Sequence, residues 1–248
     1  MPGAAILTYH SLDDSGSVVS TPPRVFAEQM RRLSQASVKV VSLAEAYHGR
    51  QACHGPPLVA LTFDDGFRNL HDYALPVLQR YGFPATVFLV TDYCGRTNFW
   101  PGQPTTIPRA PLLRWTEVKM MRDSGVTFGS HTRTHARLTS LKPCQVEAEL
   151  VMSKQRIEDT LGEAVDTFAY PYGVYDGEVR RLVATHFDLA CSTDLGFLGA
   201  ASDPLSLERL DTYYLRHPAS FQRLFSPVTR GYIQWRAWLR TLRRCLTR

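Results

Sequence analysis

Two short segments of this chain carry side chains that could perform hydrolytic chemistry together. Asp64 and Asp65 directly follow one apolar run, and His131 and His135 directly follow another. Imidazole nitrogen and carboxylate oxygen are zinc ligands, and catalytic zinc sites use three protein ligands so that a fourth position stays open. Three of these four side chains could therefore hold a metal ion while the fourth acts as a base.

Neither segment is specific when taken alone. The HxxxH spacing puts both imidazoles on one face if the chain turns helical after Ser130, but the same residues could form a solvated loop. Asp64-Asp65-Gly66 could be an ordinary turn. The two segments together, each at the end of a strand-like run, are difficult to explain by chance.

The elements that must position these residues alternate between strand and helix patterns, which is typical of parallel strands joined by helices. In an α/β barrel, chemistry gathers at the carboxyl ends of the strands. His10, Tyr172 and the two pairs above all follow predicted strands. The predicted strands are residues 5–9, 38–43, 58–63, 85–90, 126–130, 167–170, 187–192 and 207–210, and the predicted helices are 25–33, 43–47, 70–81, 116–123, 144–161, 176–185 and 219–225.

Three further features complete the predicted local structure. Ser20-Thr-Pro-Pro23 offers an N-cap for the first helix, and Ser42 offers one for the second. Residues 91–114, with four prolines, predict a long loop over the rim.

Composition and charge limit the possible functions. Apolar residues at 44% and charged residues at 21% are ordinary for a globular domain. The net charge of +5 comes from six arginines in residues 229–248, because without them 22 basic residues face 23 acidic ones. A nearly neutral body argues against a nucleic-acid enzyme.

Location is predicted from what the sequence lacks. The sequence contains no run of eighteen apolar residues that could span a membrane, and the N-terminus does not resemble a signal peptide. The five cysteines are scattered and odd in number, which favours free thiols in a reducing compartment. We therefore expect a cytoplasmic protein, with the inner face of the membrane as an alternative.

Three motifs resemble the polysaccharide deacetylase family, also called carbohydrate esterase family 4 or the NodB-homology domain. They are Thr62-Phe-Asp-Asp-Gly66, His131-Thr-Arg-Thr-His135 and Phe168-Ala-Tyr-Pro-Tyr-Gly173. The opening Leu7-Thr-Tyr-His10 is similar to the signature of a Tyr-His branch. The resemblance covers about residues 5–215 and implies a distorted (β/α)7 TIM-like barrel in a single domain, here residues 1–228, with a basic amphipathic C-terminal helix at residues 229–248.

By that resemblance, Asp65, His131 and His135 would bind a divalent metal, with Zn²⁺ expected, and Asp64 would be the general base. The backbone N–H of Tyr172 would complete an oxyanion hole, a contact worth roughly 3–4 kcal/mol in transition-state stabilisation. The implied reaction is removal of acetyl groups from N-acetylated amino sugars of a polysaccharide or glycan precursor.

The motifs also depart from the family. Many relatives carry an arginine that orients the base where this chain has Ala169, and Arg209 could replace it or form an ordinary surface ion pair. The general acid has no clear match: His10 is the predicted candidate, and His217 is more readily explained as a helix flank. Carbohydrate contacts are predicted for Trp100, Pro171 and Arg209.

Three alternatives stay open. The same site could act as an O-acetyl esterase on polysaccharide, or the chain could be a catalytically silent carbohydrate-binding homologue. The C-terminal helix carries an apolar stripe with arginines opposite: Tyr232, Trp235, Leu239, Leu242 and Leu246, with Trp238 beside them. It could make peripheral contact with a membrane, or, as we expect, pack across the barrel and leave its arginines in water.

Overall fold

A computed structural model describes residues 3–52, 54–216 and 221–246, with the backbone alone for residues 243–246. Its strands are β1 (Ala4–Tyr9), β2 (Lys39–Val41), β3 (Leu58–Phe63), β4 (Ala85–Leu89), β5 (Val126–Ser130), β6 (Thr167–Ala169), β7 (Leu189–Leu195) and β8 (Leu207–Asp211). Its α-helices are α1 (Pro23–Gln35), α2 (Leu43–Gly49), α3 (Leu75–Tyr81), α4 (Trp115–Asp123), α5 (Pro143–Leu161), α6 (Gly177–Ala184) and α7 (Pro227–Leu246).

Seven parallel strands close into a barrel. The strand β1 pairs with β3 in register from Ala4↔Leu58 to Tyr9↔Phe63, and pairs with β8 at Leu7↔Leu210. The remaining neighbours follow chain order from β3 to β8, and the short β2 pairs beside the first half of β3. The predicted seven-stranded barrel in a single domain is confirmed.

The barrel interior is polar at the end that carries the site and apolar away from that end. A small core of alternating strand residues includes Ile6, Ala60 and Phe88. Gly129 must be glycine because an added Cβ would lie 2.6 Å from the Phe88 ring. The Arg209 guanidinium lies 5.9 Å from the centre of that same ring. The buried charge of Arg209 therefore lies between the packed apolar side chains of the barrel interior and the site.

The beginning of the first helix differs from the sequence prediction. Neither Ser20 nor Thr21 caps α1. The helix begins at Pro23, and the N-cap residue is Pro22, which makes no side-chain cap. By contrast, Ser42 caps α2 in a capping box with Glu45, as predicted.

The predicted helix 70–81 begins with a π-helical turn, Leu70–Ala74, before α3. Pro76 explains the turn, since its ring cannot be accommodated against the carbonyl group four residues earlier in a regular helix. Gly82, with φ of 62°, ends the helix.

The C-terminal helix packs with the opposite face from the one predicted. Ile233 is buried, and the guanidinium groups of Arg230 and Arg236 lie 4.6 and 4.5 Å from the ring centres of Phe197 and Tyr214. Three residues of the predicted apolar stripe, with Trp238 beside them, instead point outward: the exposed fractions are 36% for Tyr232, 52% for Trp235, 58% for Trp238 and 40% for Leu242. Guanidinium stacking on aromatic rings allows arginine to replace apolar side chains at this contact.

Two other expectations can be compared with the described part of the chain. Among residues 3–52, 54–216 and 221–246, no helix has the length and apolarity needed to cross a membrane. Cys94, Cys144 and Cys191 are free thiols. Cys53 and His217 lie outside the described residues, and the side chain of Cys245 is not described. Of the predicted helix 219–225, residues 219 and 220 are not described, residues 221 and 222 are helical, and residues 223–225 form a turn.

Candidate active site

The two adjacent carboxylates lie where β3 ends. The Asp64 N–H donates to the Tyr9 carbonyl oxygen (3.0 Å), which continues the strand pairing. Asp65 and Gly66 then both take positive φ angles, 68° and 70°, so the chain turns sharply and the two side chains diverge. At Gly66 an added Cβ would lie 2.8 Å from the Leu89 side chain, so this turn requires glycine.

The HxxxH segment is a loop, one of the two conformations considered for it, and His131, Thr132 and His135 are buried within it. Thr132 and His135 have φ angles of 68° and 59°, and this left-handed conformation interrupts any helix. The Thr132 hydroxyl accepts a hydrogen bond from the His135 N–H (3.0 Å). Both imidazoles still point to the same place, because the loop folds back on itself.

Glu149 on α5 stabilises the conformation of this loop. Its carboxylate accepts hydrogen bonds from the backbone N–H groups of Arg133 (2.9 Å) and Thr134 (2.8 Å) and from the Thr134 hydroxyl (2.8 Å). Glu149 is 7% exposed. Sequence reasoning missed this residue, since a single glutamate on an amphipathic helix carries no recognisable signal.

Asp65, His131 and His135 together form a compact donor set. One ligand atom from each lies within 4.8 Å of the other two. The Nε2 atoms of His131 and His135 are 3.5 and 3.4 Å from Oδ1 of Asp65. Burial raises the pKa of the Asp65 carboxyl, but hydrogen bonds with the two imidazoles hold it far below its usual value. These distances meet the geometric condition for shared coordination of one cation.

The backbone of β6 orients the first histidine. Nδ1 of His131 donates to the carbonyl oxygen of Ala169 at 2.7 Å. A proton held on Nδ1 leaves the lone pair on Nε2, which faces Asp65. Ala169, which stands where many relatives carry an arginine, thus contributes to the site through its main-chain carbonyl.

Asp64 forms a buried, two-point ion pair with Arg209 on β8. The guanidinium donates to Oδ1 at 2.8 Å and to Oδ2 at 2.7 Å, and both residues are 3% exposed. Nε of Arg209 also donates to the carbonyl oxygen of Ser192 (2.9 Å), and this bond fixes the orientation of the guanidinium group. Of the two arrangements considered for Arg209, the structure has the pairing with Asp64 and not a surface ion pair.

The electrostatic effect of this pair is to keep Asp64 ionised. Burial alone raises the pKa of the Asp64 carboxyl, but the Arg209 charge and hydrogen bonds, with smaller contributions from His131 and His10, hold it below its usual value. His10 lies close by, with Nε2 3.8 Å from Oδ2 of Asp64 and a quarter of its side chain exposed.

The aromatic residues of the rim surround the second histidine. The Trp100 and Tyr172 rings lie 4.3 and 4.6 Å from the His135 ring, centre to centre. Trp100 is only 3% exposed, so the sugar-stacking role predicted for it is left with little free ring surface. Tyr172 is half-buried, with φ of 60°, and Gly173 after it permits a close approach to Thr193.

The loop 91–114 closes one side of the site, as the sequence predicts. A cavity of about 220 Å³ is lined by all three donor residues, Asp64, His10 and residues of this loop: Trp100, Gln103, Pro104 and Ile107. Pro171 is buried and is not among the lining residues, so the structure does not support the substrate contact predicted for it.

Backbone strain is concentrated at this site. Four non-glycine residues of the described chain have positive φ, and all four lie in the loops just described: Asp65, Thr132, His135 and Tyr172. Each such residue costs about 1–3 kcal/mol and persists where the surrounding structure fixes it, typically at functional sites. The strain therefore marks the same residues as the donor geometry does.

Comparison with known proteins identifies the family. Residues 51–187, more than half of the chain, match the family model described as Polysaccharide deacetylase. The chain belongs to the polysaccharide deacetylase family. His10 and Arg209 lie outside the matched residues, and the Tyr-His branch stays a prediction.

Individual relatives agree with this assignment. The chain is 26% identical to YxkH of Bacillus subtilis (strain 168) over 83% of its own length and 70% of that protein. It is 24% identical to the poly-β-1,6-N-acetyl-D-glucosamine N-deacetylase of Staphylococcus aureus (strain MSSA476) over 62% of its length, and spans about half (53%) of that relative.

A solved structure shares the fold. The deacetylase PplD of Streptococcus pyogenes, in complex with acetate, superposes with a TM-score of 0.78 at 24% identity, covering 92% of this chain and all of that one.

Proposed function

We propose that the protein is a metal-dependent hydrolase that removes acetyl groups from N-acetylated amino sugars in a polysaccharide or glycan precursor. The observation that carries the proposal is one cavity in which three buried donor groups converge beside a carboxylate kept ionised by Arg209. Membership of the polysaccharide deacetylase family supports the class of reaction.

The donor set fits a divalent metal ion. Two imidazoles and one carboxylate are the ligands of many catalytic zinc sites, and such sites keep a fourth position open. When bound, the ion would polarise the acetyl carbonyl and favour ionisation of water. Zn²⁺ is the expected ion, because imidazole suits it, although cobalt and nickel follow the same preferences.

Asp64 is the proposed general base. It must be ionised to accept the proton of an attacking water, and the Arg209 pairing achieves this in a site that otherwise favours the neutral acid. Arg209 is then a positioning residue, because both of its contacts with Asp64 fix where the accepting oxygens lie.

Three other groups of the chain have proposed roles. The backbone N–H of Tyr172 would stabilise charge that develops on the carbonyl oxygen of the acetyl group. His10 lines the cavity beside Asp64 and would deliver a proton to the departing amine. Trp100 would fix His135 through ring contact.

Acetate release from N-acetylglucosamine oligomers and from acetylated xylan, measured in parallel, tests the proposal. We expect release from the oligomers. Faster release from xylan would indicate an O-acetyl esterase. Bound metal with no release from any acetylated glycan would indicate a catalytically silent carbohydrate-binding homologue.

We also propose that α7 makes peripheral contact with an anionic membrane surface. Trp235 and Trp238 are more than half exposed, and Tyr232 and Leu242 extend the same outward face. Tryptophan and tyrosine partition to the membrane interface, and basic residues on the same helix are attracted to anionic lipids. A cytoplasmic location, with contact at the inner face of the membrane, remains a prediction.

A further inference from the structure

A second cavity adjoins the proposed catalytic one. It has a volume of about 370 Å³ and shares four lining residues with the first: His10, Val19, Asp64 and Thr193. A volume of this size is typical of ligand pockets. A substrate that fills the catalytic cavity could therefore extend into this one on the side of Asp64 and His10.

The second cavity is lined by two arginines of α7, Arg236 and Arg240. They are four residues apart, so they lie one above the other on the same helix face. Within the described part of the chain neither one makes an ion pair with a carboxylate, and Nε of Arg236 is buried without a hydrogen-bond partner. Arg236 is fixed by stacking on Tyr214, with its guanidinium carbon 4.5 Å from the ring centre.

One of the two acidic side chains that line this cavity, Asp64, is neutralised by an arginine that also lines it. Asp64 is paired with Arg209 at two points, and Oδ1 of Asp211 accepts a hydrogen bond from the Tyr213 N–H. Two guanidinium groups thus face the cavity with one carboxylate left to balance them, that of Asp211. Guanidinium groups bind oxyanions strongly through parallel N–H donors.

We propose that the second cavity binds a phosphoryl group carried by the substrate, next to the sugar that is deacetylated. The inference rests on the proposed function and narrows its substrate class. A phosphoryl group suits the two arginines, because it offers more acceptor oxygens than a carboxylate and can carry two negative charges. Arg236 and Arg240 have the same sign as a free sugar ammonium group, so the cavity disfavours a neighbour that has already lost its acetyl group.

Calorimetric titration of the metal-loaded protein tests the inference directly. The probes are N-acetylglucosamine 1-phosphate and neutral N-acetylglucosamine. We expect at least about tenfold tighter binding of the phosphorylated sugar, equivalent to about 1.4 kcal/mol, with a preference that weakens as salt is added. Equal affinity for the two probes would overturn the inference without any variant being needed.

The metal ion could itself attract phosphate. Two charge-matched double variants therefore distinguish phosphate binding in the second cavity from phosphate binding at the metal. R236Q/R240Q should reduce the preference for the phosphorylated sugar to less than threefold. R181Q/R223Q removes the same charge from exposed positions that line neither cavity, and it should keep the preference. A preference that survives in R236Q/R240Q would place the phosphate elsewhere and overturn the inference.

The source of the phosphoryl group is resolved by acetate release from two substrates: a polyprenyl-diphosphate-linked N-acetylglucosamine in micelles and a glycan with phosphodiester links. Faster release from either one than from neutral oligomers supports the inference and identifies the source. Release from neutral oligomers alone would overturn the inference and leave the proposed function standing. The absence of release from every substrate would instead overturn the proposed function.

Discussion

At the scale of single residues, the Asp64–Arg209 pair is a part of the site that the sequence suggested without deciding. Arg209 comes from the last barrel strand, 145 residues after Asp64, and lies outside the matched family region. Sequence spacing could suggest the pairing but could not establish it, because strand order and closure decide which side chains meet inside a barrel. Ala169 shows the converse, since its contribution to the site is a main-chain carbonyl that no residue type reveals.

Replacing Arg209 should destabilise the protein strongly. Arg209→Gln leaves the Asp64 carboxylate buried without its charge partner, a change that costs about 3–5 kcal/mol in comparable buried pairs. Urea unfolding monitored by circular dichroism measures the loss. The double variant D64N/R209Q should recover part of it, and Arg31→Gln at the exposed pair with Glu28 should change stability far less. Equal effects at Arg209 and Arg31 would contradict the buried-pair interpretation.

Replacing Asp64 should separate catalysis from metal binding. Asp64→Asn keeps the shape of the side chain but removes the proton acceptor, so acetate release should fall by about 10²–10⁴-fold. Metal content, measured by elemental analysis, should be retained because the three donor residues are unchanged. Undiminished release in this variant would exclude Asp64 as the base.

At the scale of elements, the strands were predictable and the loops between them were not. Apolar runs such as Leu58–Phe63 and Val126–Ser130 give both the strand and its end. The four-residue spacing of HxxxH fits both a helical turn and a loop with positive φ at Thr132 and His135, so the sequence left both alternatives open and the structure has the loop. Its true anchor, Glu149, lies on the following helix, and such long-range contacts are not encoded in local spacing.

Glu149 should control the affinity of the site for metal without being a ligand. Glu149→Gln removes the negative charge of a carboxylate whose hydrogen bonds with Arg133 and Thr134 are charge-assisted, and so weakens these bonds. The loop between the two histidines loses part of its support, and changes to supporting groups of this kind typically cost about 10–100-fold in metal affinity. Competition titration with a chromophoric chelator measures the change. Glu178→Gln on the exposed face of α6 is the matched control, and equal affinities in the two variants would contradict the role of Glu149.

At the scale of the whole molecule, the closed barrel follows from the alternation of strands and helices, whereas the orientation of α7 does not. The helix was predictable from its amphipathic pattern, but the apolar stripe was assigned to the wrong side. Arg230 and Arg236 contact aromatic rings of the barrel body, and the tryptophans face outward. Pattern analysis treats arginine as a solvated residue and cannot foresee its stacking on Phe197 or Tyr214.

The outward face of α7 should bind anionic vesicles. The variant W235A/W238A removes the two most exposed of its aromatic side chains and should reduce co-flotation with phosphatidylglycerol vesicles, while binding to neutral phosphatidylcholine vesicles stays weak. Tyr73→Ala, at a half-exposed aromatic residue elsewhere on the surface, is the control. Equal flotation of all variants would contradict membrane contact through this face, and a stable dimer that W235A/W238A dissociates would indicate a protein contact in its place.

Acetate release by metal-stripped and reconstituted protein is the most direct test of the central claim. After chelation, release from N-acetylglucosamine oligomers should be lost, and stoichiometric Zn²⁺ should restore it in the wild type but not in Asp65→Ala or His131→Ala. Release that persists in the fully stripped protein would contradict the assignment of Asp65, His131 and His135 as the metal site.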